Sequence, residues 1–207
     1  MLKTANLSYK FDDKYIFSNL SFEFANDSVF KLVGDNGSGK STLLKILSGI
    51  YKNYEGELSF PDDNLVFYSG HKTGLKNNLS PRENIYFDIR LPEISHSQIN
   101  SVLDKLDLID HADIQSAYLS EGQKRKINLA SFILSAANLY LLDEPFNNLD
   151  RKTTDLLQEI FDMKINAGAK IIFSSHDRSS DDFPLIDMNL FSCCLLYTSP
   201  SPRDRYG

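Results

Sequence analysis

The chain has 207 residues, 42% hydrophobic and 24% charged, with a formal net charge of −6. It can bury a core as one domain, with room for a lobed appendage, and needs no disulfide staples. The acidic balance, with Lys and Arg dispersed apart from Lys124-Arg125-Lys126, leaves no nucleic-acid footprint, and no apolar run reaches the roughly 18 residues that span a bilayer.

The basic trio reads as a solvated helix face. The first ten residues lack a signal-peptide core. The domain is therefore expected in the cytoplasm, with any membrane role exercised through a partner.

In chain order, residues 2–9 and 20–24 read as strands, the second from the alternation of Leu20, Phe22 and Phe24. Asn26-Asp27 reads as the turn into the apolar run 29–33. This is a small antiparallel region feeding a buried strand. The run ends in Gly34-Asp35-Asn36-Gly37-Ser38-Gly39-Lys40-Ser41-Thr42 and leads into a helix over 40–48 that Gly49 stops.

Glycines let consecutive backbone N–H groups converge on phosphate oxygens without Cβ interference, and the helix N-terminus adds partial positive charge. Lys40 would reach the β- and γ-phosphates, and the Ser41 hydroxyl would ligate Mg²⁺. A glycine-rich surface turn is the bland alternative, and the strand-to-helix setting argues against it.

Tyr54-Glu55-Gly56 reads as a turn and 65–68 as another strand. From Ser80 to about Ala136 the helical signals dominate. Ser80-Pro81-Arg82-Glu83 has a capping serine, proline at the first helical position and an acid three residues after the cap. Ser95 with Gln98, and Ser120 with Gln123, repeat that logic, and Ile99, Val102, Leu103 and Leu106 make one apolar helix face. A helical insert of about residues 80–136 thus interrupts an α/β chain.

The α/β character returns with the run 139–142, which ends in Asp143-Glu144-Pro145. A helix over 150–167 follows, and then a buried strand at 171–173 delivers Ser174, Ser175 and His176 at its carboxyl end, where open parallel sheets place ligands. Phosphates need Mg²⁺, and the metal needs a carboxylate on the strand beside Ser41. Asp143 fits that part, directly or through water. Glu144, one position on, is placed to polarise a water for attack on the γ-phosphate.

Leu119-Ser120-Glu121-Gly122-Gln123 is the discriminating motif. With it the sequence resembles the ATP-binding cassette family over about residues 1–191. A capping box alone explains Ser120 and Gln123. It does not explain the glycine loop, Asp143-Glu144 and His176 in this order.

The resemblance implies an α/β fold: a P-loop NTPase of ABC type, with a mostly parallel core sheet, an N-terminal antiparallel β region and a helical subdomain inside an ATPase domain of residues 1–192. It also implies a head-to-tail homodimer sandwiching two ATP molecules, with Ser120, Gly122 and Gln123 of one subunit facing the γ-phosphate bound by the other. Phe146-Asn147-Asn148-Leu149-Asp150 resembles the loop along the dimer seam, with Asp150 its acidic residue. His176 matches the switch histidine that contacts the γ-phosphate. Phe11, 23 residues before Gly34, aligns with the aromatic that stacks on adenine, and Tyr9 is a weaker candidate for the same role.

One position departs from the family pattern. Where cassette ATPases carry a glutamine after the strand at 65–68, this chain has Gly70-His71-Lys72. Lys72 falls at the position, and an ammonium offers a metal no acceptor. Either His71 substitutes, or Lys72 turns away and coupling is altered.

The segment Gly70-His71-Lys72-Thr73-Gly74-Leu75-Lys76, with Leu79-Ser80, Glu83-Asn84 and Asp143-Glu144-Pro145-Phe146, resembles the ATP-binding subunits of bacterial haem exporters in cytochrome c maturation. That branch implies a peripheral ATPase on the cytoplasmic face of the inner membrane, paired with separate integral membrane subunits. The ATP-binding subunit of another ABC transporter, and a soluble cassette ATPase outside transport, are the alternatives.

Residues 193–207 look like translated sequencing-adapter read-through; a Ser/Pro-rich disordered tail is the alternative. Both cysteines, Cys193 and Cys194, lie there, so they carry no redox or metal inference.

Overall fold

The computed structural model describes residues 2–24, 29–60, 65–71, 74–177 and 183–192. The Asn26-Asp27 turn, Lys72 and the 193–207 tail lie outside the described residues.

Two sheets are present among them. Strands β1 (Leu2–Phe11), β2 (Lys14–Phe24) and β4 (Glu55–Ser59) form an antiparallel sheet in the order β2-β1-β4. Strands β3 (Val29–Val33), β5 (Val66–Ser69), β6 (Leu139–Leu142), β7 (Lys170–Ser174) and β8 (Leu185–Asp187) form a parallel sheet in the order β5-β6-β7-β3-β8. Helix α1 (Lys40–Leu47) follows β3, and α5 (Arg151–Asn166) joins β6 to β7. Between β5 and β6 the chain is helical: α2 (Pro81–Tyr86), α3 (His96–Lys105), α4 (Glu121–Leu134) and two short 3-10 turns.

The parallel strands are buried on both faces, and their two-residue period sorts side chains between two cores. Leu139 and Leu141 of β6, with Phe30, Leu32 and Ile172, pack against α1 and the antiparallel sheet. Tyr140 and Leu142, with Phe67, Ile171 and Phe173, face the other core, which includes Ile127, Ala130 and Phe132 of α4 and Phe161 of α5. There Phe132 meets Tyr140 edge-on at 5.0 Å between ring centroids, and Phe161 meets Phe173 at 5.7 Å.

The three serine caps form as their spacing implies. Ser80, Ser95 and Ser120 each accept the N–H of the residue three further on, and the Glu83, Gln98 or Gln123 side chain accepts the cap's own N–H. The three helix starts are thus fixed locally, before tertiary contacts add to them.

Two expectations need correction. Glu55 and Gly56 are not a turn; they open β4, an edge strand that pairs with β1 from Lys3↔Ser59 to Ser8↔Glu55. Gly56 sits at φ +92 where a Cβ would strike the Asn6 carbonyl at 2.4 Å, so glycine there serves close strand approach.

The carboxylate strand β6 brings Asp143 to the space that Ser41 lines, with β7 standing between β6 and β3 in the sheet. The basic trio is not a solvated face. Lys124 pairs with Glu121 at 2.9 Å, Arg125 donates to the Asn147 carbonyl at 2.7 Å, and Lys126 pairs with Asp150 at 3.0 Å. Two of the three stitch α4 to the segment after β6.

Candidate nucleotide site

The carboxyl ends of β3, β5, β6 and β7 open on one edge of the parallel sheet, and the sequence-derived residues gather there. After β3 the loop turns through Gly34, Gly37 and Gly39, at φ +145, +86 and +98. At two of these a side chain has no room. A Cβ on Gly34 would lie 2.6 Å from Ser38 Oγ, and one on Gly39 would lie 2.9 Å from the Phe17 ring.

Gly39 is the residue before α1, so the N-terminus of that helix opens directly into the loop. Lys40 is 6% exposed, and its ammonium donates to the carbonyls of Gly34 at 2.7 Å and Asp35 at 3.0 Å. Its charge is therefore inside the loop's ring. Ser38 Oγ is buried without a partner. Asp35 and Asn36 are exposed, and Asn189 clamps Asp35 by accepting its N–H at 3.0 Å and donating to its carboxylate at 3.1 Å.

Asp143 follows β6 and is 7% exposed. Its Oδ1 accepts the Ser174 hydroxyl at 2.7 Å, while Oδ2 is buried with no partner. The same Ser174 hydroxyl accepts the Glu144 N–H at 2.8 Å. Ser174 on β7 thus positions both acids of β6 at once. Burial and the Asp143 carboxylate push the neighbouring Tyr68 phenol up to about 12.

Glu144 has φ +54, which turns its side chain off the strand line. Its Oε1 lies 2.5 Å from His176 Nε2; its Oε2 accepts the Asn147 amide at 2.6 Å and lies 3.3 Å from His71 Nδ1. Partial burial works to raise the carboxyl, but the hydrogen bond and charge of His176, with Asn147 and His71, hold it below the usual carboxylate range. It is ionised at neutral pH.

A cavity of about 740 Å³ runs from Ser41 and Asp143 past His71 to Asn84, Phe87 and Arg90 of the helical insert. Ser41 and Asp143 thus face one space, and both offer hard oxygen ligands. That donor set, with the orphaned Asp143 Oδ2, fits Mg²⁺ held by one carboxylate, one hydroxyl, phosphate and water.

The remaining sequence-derived residues lie apart from this cluster. Ser120 is exposed at the start of α4, and Gly122 has nothing nearer its missing Cβ than Ser120 Oγ at 4.0 Å, so this helix end is open. Asp150 caps α5 through the Thr153 N–H at 2.8 Å; that bond and Lys126 lower its carboxyl to about 2.

Phe11 is at the tip of the β1–β2 hairpin, opposite Lys14 and 62% exposed. The weaker adenine candidate, Tyr9, is stacked on Tyr51 at 5.4 Å. Of the two rings, Phe11 keeps the more open face.

Sequence reasoning missed Ser174 as a hub, Asn147 and Asn189. Ser174 heads the Ser-Ser-His triplet and was readable as a strand-end polar group. Nothing local marks Asn189, because its partner is 154 residues away.

Fold and site together define an ATPase of the ATP-binding cassette class. The chain belongs to the ABC transporter family, whose model matches residues 17–147.

Its similarity within that family includes the cytochrome c biogenesis ATP-binding export protein CcmA of Yersinia pseudotuberculosis, 30% identical over 209 residues that cover 96% of this chain and 94% of the relative. CcmA of Vibrio vulnificus is 31% identical over 196 residues, covering 89% and 96%. Among solved structures, a putative ABC transporter ATP-binding protein from Pyrococcus furiosus superposes with a TM-score of 0.78 at 22% identity, covering 92% of this chain and 98% of that one. A dimeric ATP-binding cassette in a post-hydrolysis state with ADP and Pi gives 0.72 at 22% identity, covering 86% and 88%. No helix among the described residues is long and apolar enough to cross a membrane.

Proposed function

We propose that this chain is the ATP-hydrolysing subunit of a membrane exporter that serves cytochrome c biogenesis, with haem or a haem-chaperone complex as cargo. It works as a homodimer on separate integral membrane subunits, peripheral to the cytoplasmic face of the inner membrane. The likeness to CcmA supports the assignment to this branch. The observation that carries the chemistry is the convergence of Lys40, Asp143, Glu144 and His176 at the ends of three strands of one sheet.

ATP enters with its phosphates over the loop 34–42. Lys40 exchanges its two carbonyl partners for phosphate oxygens, and the N–H groups of Gly37, Ser38 and Gly39, with those opening α1 up to Thr42, supply the rest of the cradle. Asp35 and Asn36 form its outer rim. Phe11 lies under the adenine.

Ser41 would hold Mg²⁺ directly and Asp143 through one of its bound waters, and the metal when bound would draw charge from the phosphates. Glu144 accepts a proton from the attacking water, and His176 contacts the γ-phosphate and holds that water in line. In the nucleotide-free chain His176 is committed to Glu144, so arrival of the γ-phosphate redirects one hydrogen bond and frees the base.

Ser120, Gly122 and Gln123, at the open end of α4, close over the partner's ATP. Asp150 lies on the dimer seam. The helical insert, about residues 80–136, passes this motion to the membrane subunits.

The test is chromosomal replacement of Lys40 by Ala in the native host. Covalent haem attachment to c-type cytochromes should be lost while b-type cytochromes persist. Normal c-type cytochromes would refute the export role, and co-purifying membrane subunits would then identify another transporter.

A further inference from the structure

Two buried acceptor oxygens near the site lack partners: Asp143 Oδ2 at the end of β6, and Asn128 Oδ1 on the inner face of α4. Both residues line one small cavity of about 40 Å³, together with His71, Glu144 and Arg125. Both also line the larger space that Ser41 faces.

Asn128 is 8% exposed, between buried Ile127 and Leu129. Asparagine is a poor choice for a helix interior, so propensity does not explain it there. With the amide oxygen turned to this side, the two acceptors cannot satisfy each other, and a donor between them would serve both. A cavity of this size with two acceptors on its wall admits a water, and a single water has two hydrogens to give.

We propose that Asn128 is a positioning residue for the metal-bound nucleotide. Its amide oxygen and Asp143 Oδ2 accept the two hydrogens of one water in the Mg²⁺ shell. This rests on reading Asp143 as the metal-facing carboxylate. Mg²⁺ retains several of its waters in protein sites, and coordination makes each a stronger donor. Through that water, α4 is tied to the end of β6. The helix whose N-terminus would face the partner's ATP thereby registers whether metal and nucleotide are in place.

The test uses the full chain and a fluorescent ATP analogue, titrated with Mg²⁺ and in EDTA. Asn128→Leu and Asn128→Ala remove the acceptor; Asn128→Asp keeps one. The first two should bind the analogue normally in EDTA, but need about 5- to 10-fold more Mg²⁺ for half-maximal enhancement, the size of one ordinary hydrogen bond. Asn128→Asp should need no more than the unaltered chain.

Ala is a strong helix former, so Asn128→Ala decides the matter if Asn128→Leu folds poorly. Unaltered Mg²⁺ dependence in that variant, while Asp143→Asn shifts it, would overturn the role of Asn128 and leave the metal assignment standing. Unaltered dependence in Asp143→Asn as well would overturn both.

Discussion

His176 Nε2 and Glu144 Oε1 lie 2.5 Å apart, joining the residues that follow β7 and β6 across the mouth of the sheet. The two strands pair in parallel with Leu142 opposite Phe173, so both side chains leave the sheet at the same level. If Glu144 is the base, Glu144→Gln keeps the shape and loses the proton acceptor. Hydrolysis should fall by about 10² to 10⁴ while ATP binding is unchanged, as read from phosphate release against equilibrium binding. His176→Ala should also slow hydrolysis without weakening the fold.

Ser174 is the structural hinge of the two acids, since one hydroxyl donates to Asp143 and accepts from the Glu144 N–H. Ser174→Ala leaves a buried carboxylate oxygen and a backbone N–H unpaired. Denaturant unfolding should show a loss of about 1 to 3 kcal/mol, and Ser174→Thr should recover part of it. Equal stability of Ser174→Ala and the unaltered chain would show that water replaces the hydroxyl.

Gly39 tests the loop's own geometry without nucleotide. Its φ of +98 and the 2.9 Å approach of a Cβ to the Phe17 ring both act against any side chain. Gly39→Ala should destabilise the nucleotide-free chain by about 1 to 3 kcal/mol, seen as a lowered unfolding midpoint at unchanged slope. Gly37, with nothing within 4 Å of a Cβ, carries only the strain of its φ of +86, so Gly37→Ala should cost less.

Asp150 gives a pH dependence. Its carboxyl is lowered to about 2 by the Thr153 N–H, then Lys126. A depressed folded value means that the stabilisation is complete above the unfolded value of about 3.9 and fades as pH falls through the folded one. Asp150→Ala should cost about 1 kcal/mol at pH 7, the usual worth of a helix cap. That difference from the unaltered chain should shrink between about pH 4 and pH 2. A difference that grows on acidification would contradict the assignment.

Contiguous signals were legible in the sequence. The buried runs that became β3 and β6, the three serine caps and the glycine loop each depend on neighbours within a few residues. What was missed depends on distant partners. β4 carries Glu55, Gly56 and Glu57, with only Leu58 partly buried, and exists because β1 offers its edge.

The extension of β1 and β2 to a hairpin turns on Asp12 and Asp13, at φ +47 and +62, a two-residue turn whose acidic pair gave a weaker cue than Asn-Gly. In the site, Lys40, Asp143, Glu144 and His176 were readable from motif order. The contacts of Ser174 and Asn147 with the two acids, and the place of Asn128 beside them, became visible only once β7, α4 and the segment after β6 were brought together. The basic trio misled because its charges suggest solvent, whereas two of its three partners, Asn147 and Asp150, lie outside its own helix.

The central claim is that two copies of this chain close around ATP, each offering the loop at Lys40 to one nucleotide and the open end of α4 at Ser120 to the other. Light scattering on purified Glu144→Gln chain, with and without ATP and Mg²⁺, tests it most directly. The expected result is a doubling of mass with nucleotide that Ser120→Arg abolishes. A mass that stays monomeric under saturating ATP and Mg²⁺ would contradict it.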